Sequence, residues 1–204
     1  KLLDDVNHVI LAPTGMAALQ VGGQTIHSFF GFKFGLMEGQ NWHKPRNPKI
    51  FEKLNLIIID EISMVRADMF DAMDAFLKIY GPKRGEPFGG VQILALGDLF
   101  QLPPIVTQDE THYFENLYGT PFFFGSQAWA TGAFEIIEFT EIFRQSDKPF
   151  INLLTDIRYG KNSTDTLKAL NARLVSETPE NTVILAARNK TVEQKLTTLS
   201  TVSG

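Results

Sequence analysis

Two adjacent carboxylates end a continuous apolar run in this sequence. Asp60 and Glu61 directly follow Leu56–Ile59, which reads as a strand buried on both faces. In open parallel sheets, ligands bind outside the carboxyl ends of the strands. At a nucleotide-hydrolysing site the first acid would help to hold Mg²⁺, often through water, and the second would orient and polarise the attacking water. The same pattern is also typical of a solvated strand end, so the pair alone leaves both interpretations open.

A second polar group follows another apolar run, Val91–Leu96. It is the segment Gly97–Pro104, in which Asp98 and Gln101 precede a rigid pair of prolines. If the two strands are neighbours, Gln101 projects beside the two acids, where an uncharged amide can sense a phosphate oxygen or a water. The alternative is a proline-stiffened turn in which Asp98 only caps the backbone.

A third candidate is Arg144, one of only two cations in residues 101–150. It follows a further candidate strand, Phe134–Phe139. An arginine is a natural donor to a γ-phosphate as charge shifts during phosphoryl transfer. A surface arginine that pairs with Glu141 or Asp147 is the alternative interpretation.

The fourth group lies close to the N-terminus, at a predicted strand-to-helix turn. In the segment Pro13, Thr14 and Gly15, the last two residues expose backbone N–H groups and Thr14 adds a hydroxyl, which suit phosphate oxygens. A tight structural turn explains these three residues equally well. The stretch just downstream adds short donors and a phenylalanine that can stack or pack. Its candidate contacts are Thr25, His27, Ser28 and Phe29; a histidine such as His27 is by itself more often a satisfied buried side chain than a ligand contact.

A parallel sheet is needed to bring these groups to one edge. Strand-sized apolar runs alternate with helical segments, which predicts an α/β fold with a mostly parallel sheet flanked by helices. Apolar residues at helical spacing in residues 69–80 predict a helix, with Ser63 as a candidate N-cap and Gly81 beyond its end. The predicted strands are Val9–Ala12, Leu54–Ile59, Val91–Leu96, Phe134–Phe139 and Thr182–Ala187.

Two further helices are predicted in the last third of the chain. Ser146 or Asp147 can cap the first, which should stop at Gly160, and the second contains the leucines of residues 167–174. Residues 33–49 show no periodicity and are rich in glycine and proline, so they predict an exposed loop or a small insertion.

Composition excludes several classes of site. The 204 residues contain no cysteine, which excludes disulfides and thiolate chemistry. No apolar run approaches the ~20 residues of a membrane helix and no signal peptide is visible, so we expect a cytoplasmic protein with no membrane partner. The net charge of −4 argues against nucleic acid. However, the acid is concentrated in residues 51–150, and residues 1–50 and 151–204 are each net positive.

The four groups lie within five longer motifs, which are APTGMAAL, GGQTIHSFFGF, LIIIDEISMV, PFGGVQILALGDLFQLPPI and FTEIFRQSD. In order and approximate spacing these motifs resemble those of the Pif family, in the Pif/RecD branch of superfamily 1 DNA helicases. The resemblance covers about residues 9–190. It implies a RecA-like P-loop NTPase fold, ATP and Mg²⁺ as cofactors, and ATP-driven 5′-to-3′ translocation on single-stranded DNA with duplex unwinding.

The resemblance implies a role for each matching residue. Asp60 would be the metal-associated acid, acting through water, and Glu61 the catalytic carboxylate of ATP hydrolysis. Gln101 would report the state of the γ-phosphate, Asp98 would support its turn, and Arg144 would contact the γ-phosphate. The residues that would grip single-stranded DNA are Pro13, Thr14, Gly15, Thr25, His27, Ser28 and Phe29.

The resemblance also implies a division into domains. Residues 1–176 would form most of a first RecA-like domain, incomplete at its N-terminus, and residues 177–204 would begin a second. Residues 33–49 would be a small strand-separating insertion. Its basic residues, which suit a DNA junction, are Lys44, Arg46 and Lys49.

The phosphate-binding loop of the family, G-x-x-x-x-G-K-[ST], is missing from these 204 residues. From the resemblance we expect the parent protein to be a monomeric, ATP-dependent DNA helicase that acts in DNA repair and recombination. We expect it in the bacterial cytoplasm, associated with the nucleoid. The chain by itself is expected to be inactive towards ATP. The alternative is a non-enzymatic nucleic-acid or partner-binding module that has lost its motor. A P-loop lysine upstream in the parent protein would favour the enzyme.

Overall fold

A computed structural model describes residues 3, 5–40, 44–143, 145–161, 163–175, 185, 186 and 191. The chain divides into two compact units, Lys1–Phe139 and Thr140–Gly204. The first unit contains the sheet, and the described part of the second contains helices at Lys148–Arg158 and Thr164–Asn171. The predicted domain boundary after residue 176 lies outside the described residues and stays a prediction.

A four-stranded sheet forms the centre of the first unit. Its strands are β1 (His8–Ala12), β2 (Gln24–Thr25), β3 (Leu56–Ile59) and β4 (Gln92–Ala95), in the spatial order β2-β1-β3-β4. All three pairings are parallel. The predicted α/β fold with a mostly parallel sheet is therefore confirmed, and the carboxyl ends of neighbouring strands share one edge.

Six α-helices connect or cover these strands. They are α1 (Gly15–Gln20), α2 (Ile26–Phe30), α3 (Pro48–Glu52), α4 (Ala67–Tyr80), α5 (Thr111–Leu117) and α6 (Gln127–Thr131). The second unit contains α7 (Lys148–Arg158) and α8 (Thr164–Asn171). Short 3-10 helices occur at Ile62–Met64, Pro87–Gly90, Gln108–Glu110 and Phe123–Gly125.

The core of the first unit lies between α4 and one face of the sheet. Ile57 and Ile59 of β3 are fully buried there with Phe76 of α4. The centroid of the Phe76 ring lies 5.3 Å from that of Phe30 and 5.0 Å from that of Phe51. Edge and tilted contacts of this kind stabilise a core beyond the burial of area alone. The many phenylalanines of the sequence are therefore largely core residues.

Two predictions about elements were wrong. Phe134–Phe139 forms no strand; the Phe134 ring stacks on Trp129 with centroids 4.4 Å apart, and the apolar side chains that follow are exposed. The run has strand composition, but within the described chain it has no neighbouring strand with which to pair. Ser63 does not cap α4, because the chain first makes a 3-10 turn and α4 begins only after Arg66. The predicted strand Thr182–Ala187 lies largely outside the described residues.

The helices of the second unit agree closely with the sequence. Asp147 accepts a hydrogen bond from the Phe150 N–H at 3.2 Å and so caps α7, which ends just before Gly160. Ser163 caps α8. The α8 helix is shorter than predicted and ends before Leu174.

Residues 33–49 are only in part the exposed loop that was predicted. Met37 is buried, and the Gln40 side chain bonds both the N–H and the carbonyl of Lys33. The last two residues of the range already belong to α3. Across the described stretches of the chain, no helix is long and apolar enough to cross a membrane.

Candidate nucleotide and DNA sites

The two acids follow β3 and lie between the ends of the two strands that flank it, β1 and β4. The Asp60 N–H donates to the carbonyl of Leu11, the penultimate residue of β1, at 2.8 Å. Two residues later, the Ile62 N–H donates to the carbonyl of Leu96, just after β4, at 2.9 Å. Both carboxylate residues are partly exposed. The backbone thus fixes Asp60 and Glu61 at the carboxyl edge of the sheet, where a ligand can reach them.

Glu61 has an unusual backbone conformation. Its φ of 54° and ψ of 44° are left-handed, a region that costs a non-glycine residue roughly 1 kcal/mol or more. The following 3-10 turn also buries the Ser63 hydroxyl without a hydrogen-bond partner. Strain and an unsatisfied hydroxyl in one short turn indicate a local geometry that the surrounding packing maintains.

Asp98 organises the turn that contains Gln101. One of its carboxylate oxygens accepts the Phe100 N–H at 3.0 Å, and the other accepts the Gln101 side-chain amide at 3.2 Å. The Gln101 N–H also donates to the Asp98 carbonyl at 3.0 Å. Because β3 and β4 are adjacent, this turn and the acidic pair lie at the ends of neighbouring strands.

Gly97 allows this turn to approach the acidic pair. A Cβ at Gly97 would lie 2.9 Å from Cγ2 of Ile62 and 3.0 Å from the backbone nitrogen of Ile62.

We expect Gly97→Ala to lower the free energy of unfolding by about 1–3 kcal/mol, since the backbone must move to admit the methyl group. Gly15→Ala is the control, because nothing lies within 4 Å of a Cβ there. Urea denaturation measures both; equal stability of the two variants would contradict the expectation.

Two of the predicted DNA contacts have a structural task. The Thr14 hydroxyl accepts the Ala17 N–H at 3.2 Å and caps α1, and the Thr25 hydroxyl accepts the Ser28 N–H at 3.2 Å and caps α2. Ala12, at the end of β1, is paired with Thr25 in the sheet. The sheet therefore brings the two predicted DNA segments side by side.

A cleft of about 240 Å³ opens beside these caps. It includes three of the predicted DNA contacts, which are Pro13, Thr14 and His27. Gly15 and Ser28 are exposed close by in the chain. The other lining residues are Phe34, Gly35, Met64, Arg66, Met69 and Ile105. Phe29 is placed elsewhere: its ring packs on Phe30 and Phe51 against the core.

Arg66 connects three segments around this cleft. Its guanidinium bonds both carboxylate oxygens of Asp68, at 3.0 and 2.6 Å, and one oxygen of Glu110 at 3.2 Å. It also donates to the Gly35 carbonyl at 2.8 Å. The buried Asp68 accepts the Met37 N–H in turn, at 2.9 Å. Sequence reasoning missed this network, because single hydrogen bonds in it join residues as far as 44 positions apart.

The charge state of His27 follows from its surroundings. Burial disfavours the charged imidazole, and the nearby Arg66 guanidinium adds to this effect, so the pKa of His27 is lowered. The Asp68 carboxylate opposes the shift only in part. His27 is therefore neutral at pH 7, with its ring centroid 4.8 Å from that of Phe34.

Arg144 lies outside the described residues. Its predicted contact with a γ-phosphate therefore stays a prediction.

Solved structures of helicases resemble this chain closely. A Pif1 helicase from Bacteroides, in complex with ADP-AlF3 and ssDNA, is 36% identical with a TM-score of 0.84; the match covers 98% of this chain and 48% of that one. The Pif1 helicase from Candida albicans is 33% identical with a TM-score of 0.78, over 97% of this chain and 46% of that one.

Curated proteins give the same result. The ATP-dependent DNA helicase PIF1 of Rattus norvegicus is 35% identical over 168 residues, which are 80% of this chain and 25% of that protein. The ATP-dependent DNA helicase RRM3 of Saccharomyces cerevisiae is 34% identical over 79% of this chain and 22% of its own length. The chain thus spans about a quarter of these relatives. A model of the PIF1-like helicase family matches residues 3–168, and the chain accordingly belongs to that family.

Proposed function

We propose that this chain is motor-domain sequence of an ATP-dependent DNA helicase that translocates 5′ to 3′ on single-stranded DNA and unwinds duplexes. The observation on which this rests is that one sheet edge holds both candidate sites. The acidic pair is hydrogen-bonded to the end of β1, and the first DNA segment begins directly after β1. We infer that a movement at one site would reach the other through few bonds.

The acidic edge suits magnesium and a nucleotide. Mg²⁺ takes oxygen ligands, keeps several waters and needs only one or two carboxylates beside the phosphates. Asp60 would hold the ion through water, and the ion would neutralise charge on the phosphates. Glu61 would orient the attacking water. Gln101, on the turn that Asp98 organises, would sense the γ-phosphate, and Arg144 would contact it.

The cleft beside α1 and α2 suits the backbone of single-stranded DNA. Thr14 and His27 contribute polar groups to the lining of the cleft. Gly15, Thr25 and Ser28 lie within two positions of these residues in the sequence. Arg66 is already paired with two carboxylates, so little positive charge remains to attract phosphates. We infer weak binding by this chain with a shallow dependence on salt.

The exposed basic residues at the start of α3 and just before it suit a DNA junction. Lys44, Arg46 and Lys49 are all exposed. We infer that they contact duplex at the point where strands separate. A related structure is described as Pif1 acting on forked dsDNA through two coordinating helicases.

Binding of labelled oligo-dT by the 204-residue chain, followed by fluorescence anisotropy, tests the proposal. We expect His27→Asn to weaken binding about three- to tenfold, the value of one or two lost contacts. His112→Asn, whose side chain is 89% exposed on α5, should bind as the wild type does. The plot of log Kd against log salt should have a slope below about 3, corresponding to few phosphate contacts. A chain that does not bind oligo-dT at low salt would contradict the proposed DNA site.

A further inference from the structure

Phe34 is one of three phenylalanines that are almost fully exposed in the part of the chain that the structure describes. It is 90% exposed, against 89% for Phe143 and 86% for Phe139, but of the three only Phe34, on the segment between α2 and α3, lines the cleft. Exposure of a whole aromatic ring to water is unfavourable by about 25 cal/mol per Å² of apolar surface. A ring so placed calls for an explanation in terms of what it contacts.

The ring lies at the rim of the DNA cleft. It lines the cleft together with Pro13, Thr14 and His27. Its centroid is 4.8 Å from that of His27, and the two ring planes are inclined by 31°. One side of Phe34 thus rests on the imidazole, and most of its surface remains open to solvent.

The backbone on both sides of Phe34 is held in place. The Gly35 carbonyl accepts Arg66 at 2.8 Å, and the Met37 N–H donates to the buried Asp68 at 2.9 Å. On the other side, the Lys33 N–H donates to the Gln40 side chain at 3.2 Å, and its carbonyl accepts from the same side chain at 3.1 Å. The exposed ring is therefore presented by an ordered loop, so little conformational entropy is lost when a ligand contacts it.

We propose that Phe34 is a base-stacking residue: its ring receives the face of an unpaired base of single-stranded DNA whose backbone lies along the cleft. This rests on the proposed DNA site. Bases of every kind present a π-face, and stacking on aromatic side chains is the sequence-tolerant component of single-strand binding. The sequence had indicated Phe29 for the DNA side, but that ring packs against the core.

The surroundings of the ring favour a base over a protein partner. Its neighbours in the chain, Lys33 and Gly35, are exposed, and of the other apolar residues that line the cleft only Ile105 is largely exposed, at 75%. A protein interface needs several hundred Å² of contiguous contact, which a single ring does not provide. An exposed ring beside the neutral imidazole of His27, with the exposed Lys33 next to it in the chain, matches one nucleotide: the ring stacks the base and the lysine can neutralise a phosphate.

The experiment compares four forms of the 204-residue chain: wild type, Phe34→Ala, Phe34→Trp and Phe139→Ala. Phe139 is 86% exposed and does not line the cleft, so it is a matched control. Each form is titrated against oligo-dT by fluorescence anisotropy. We expect Phe34→Ala to weaken binding at least about fivefold, Phe34→Trp to bind as tightly as the wild type, and Phe139→Ala to be unchanged.

A second set of oligonucleotides has a single abasic site at successive positions. In the wild type, the abasic site at one position should weaken binding by about the same factor as Phe34→Ala. In Phe34→Ala that penalty should disappear, because the ring is already absent and removal of the base then loses no stacking contact. A merely structural role for Phe34 leaves the penalty unchanged.

The outcomes separate the two proposals. If the wild type binds oligo-dT and Phe34→Ala binds equally well, or keeps the abasic penalty, Phe34 does not stack a base and the DNA site stands. If the wild type does not bind at all, the DNA site itself is wrong and this inference is overturned with it.

Discussion

Arg66→Ala is expected to lower the free energy of unfolding by about 3–5 kcal/mol. The Asp68 side chain is 1% exposed and Arg66 is its ion-pair partner at 2.6 Å, so the truncation leaves a buried carboxylate without its counter-charge. Glu110 and the Gly35 carbonyl lose a donor at the same time. Urea denaturation monitored by tryptophan fluorescence measures the change.

A double variant distinguishes a lost charge pair from lost packing. Asp68→Asn in the Arg66→Ala background should recover part of the stability, because the neutral amide needs no counter-charge and its oxygen can still accept the Met37 N–H. Lys83→Ala is the control: its pair with Glu86 is exposed at 3.6 Å and should change stability by less than about 1 kcal/mol. If Arg66→Ala lowers the free energy of unfolding no more than the control does, the Arg66 network contributes little to stability.

Glu61→Gln is expected to lower the kcat for ATP hydrolysis by the parent protein about 10²- to 10⁴-fold, with a small change in KM. The amide fits the same space in the left-handed turn but cannot accept a proton from the attacking water. A DNA-stimulated ATPase assay measures kcat and KM. Glu115→Gln, which replaces an exposed carboxylate on α5, should have wild-type kcat.

Two results would change the interpretation of Glu61. Turnover of Glu61→Gln close to that of the wild type would assign the catalytic carboxylate elsewhere. A parent protein that binds DNA but hydrolyses no ATP would favour a binding module without a motor. The 204 residues contain no G-x-x-x-x-G-K-[ST] motif, so hydrolysis that depends on Glu61 in this chain alone would be equally contrary to the proposed mechanism.

The sequence predicted the positions of the two nucleotide-side groups because they depend on local rules. Leu56–Ile59 is a continuous apolar run and Val91–Leu96 is apolar except for Gln92; one amphipathic helix lies between them, and such segments form adjacent parallel strands buried by helices. Polar residues directly after those runs must then lie at one edge. Asp98 could be assigned to its turn from its spacing to Gln101.

Strand propensity alone misled at Phe134–Phe139. A strand needs a partner as well as a suitable composition, and only the fold shows whether a neighbouring edge is available. Likewise Ser63 is of a residue type suited to an N-cap, but it lies within a 3-10 turn. The N-cap of α4 is instead Arg66, three residues later.

By itself, the sequence determined the α/β fold class, since this follows from periodicity and short-range spacing, and its motifs resembled those of one family. Only the tertiary structure decided which phenylalanines are core and which are exposed: among those near the DNA cleft, Phe29 packs inward and Phe34 stays exposed beside His27. It alone also paired Arg66 with Glu110 across the chain. The physical reason is that burial and charge pairing depend on neighbours distant in sequence, which no local pattern specifies.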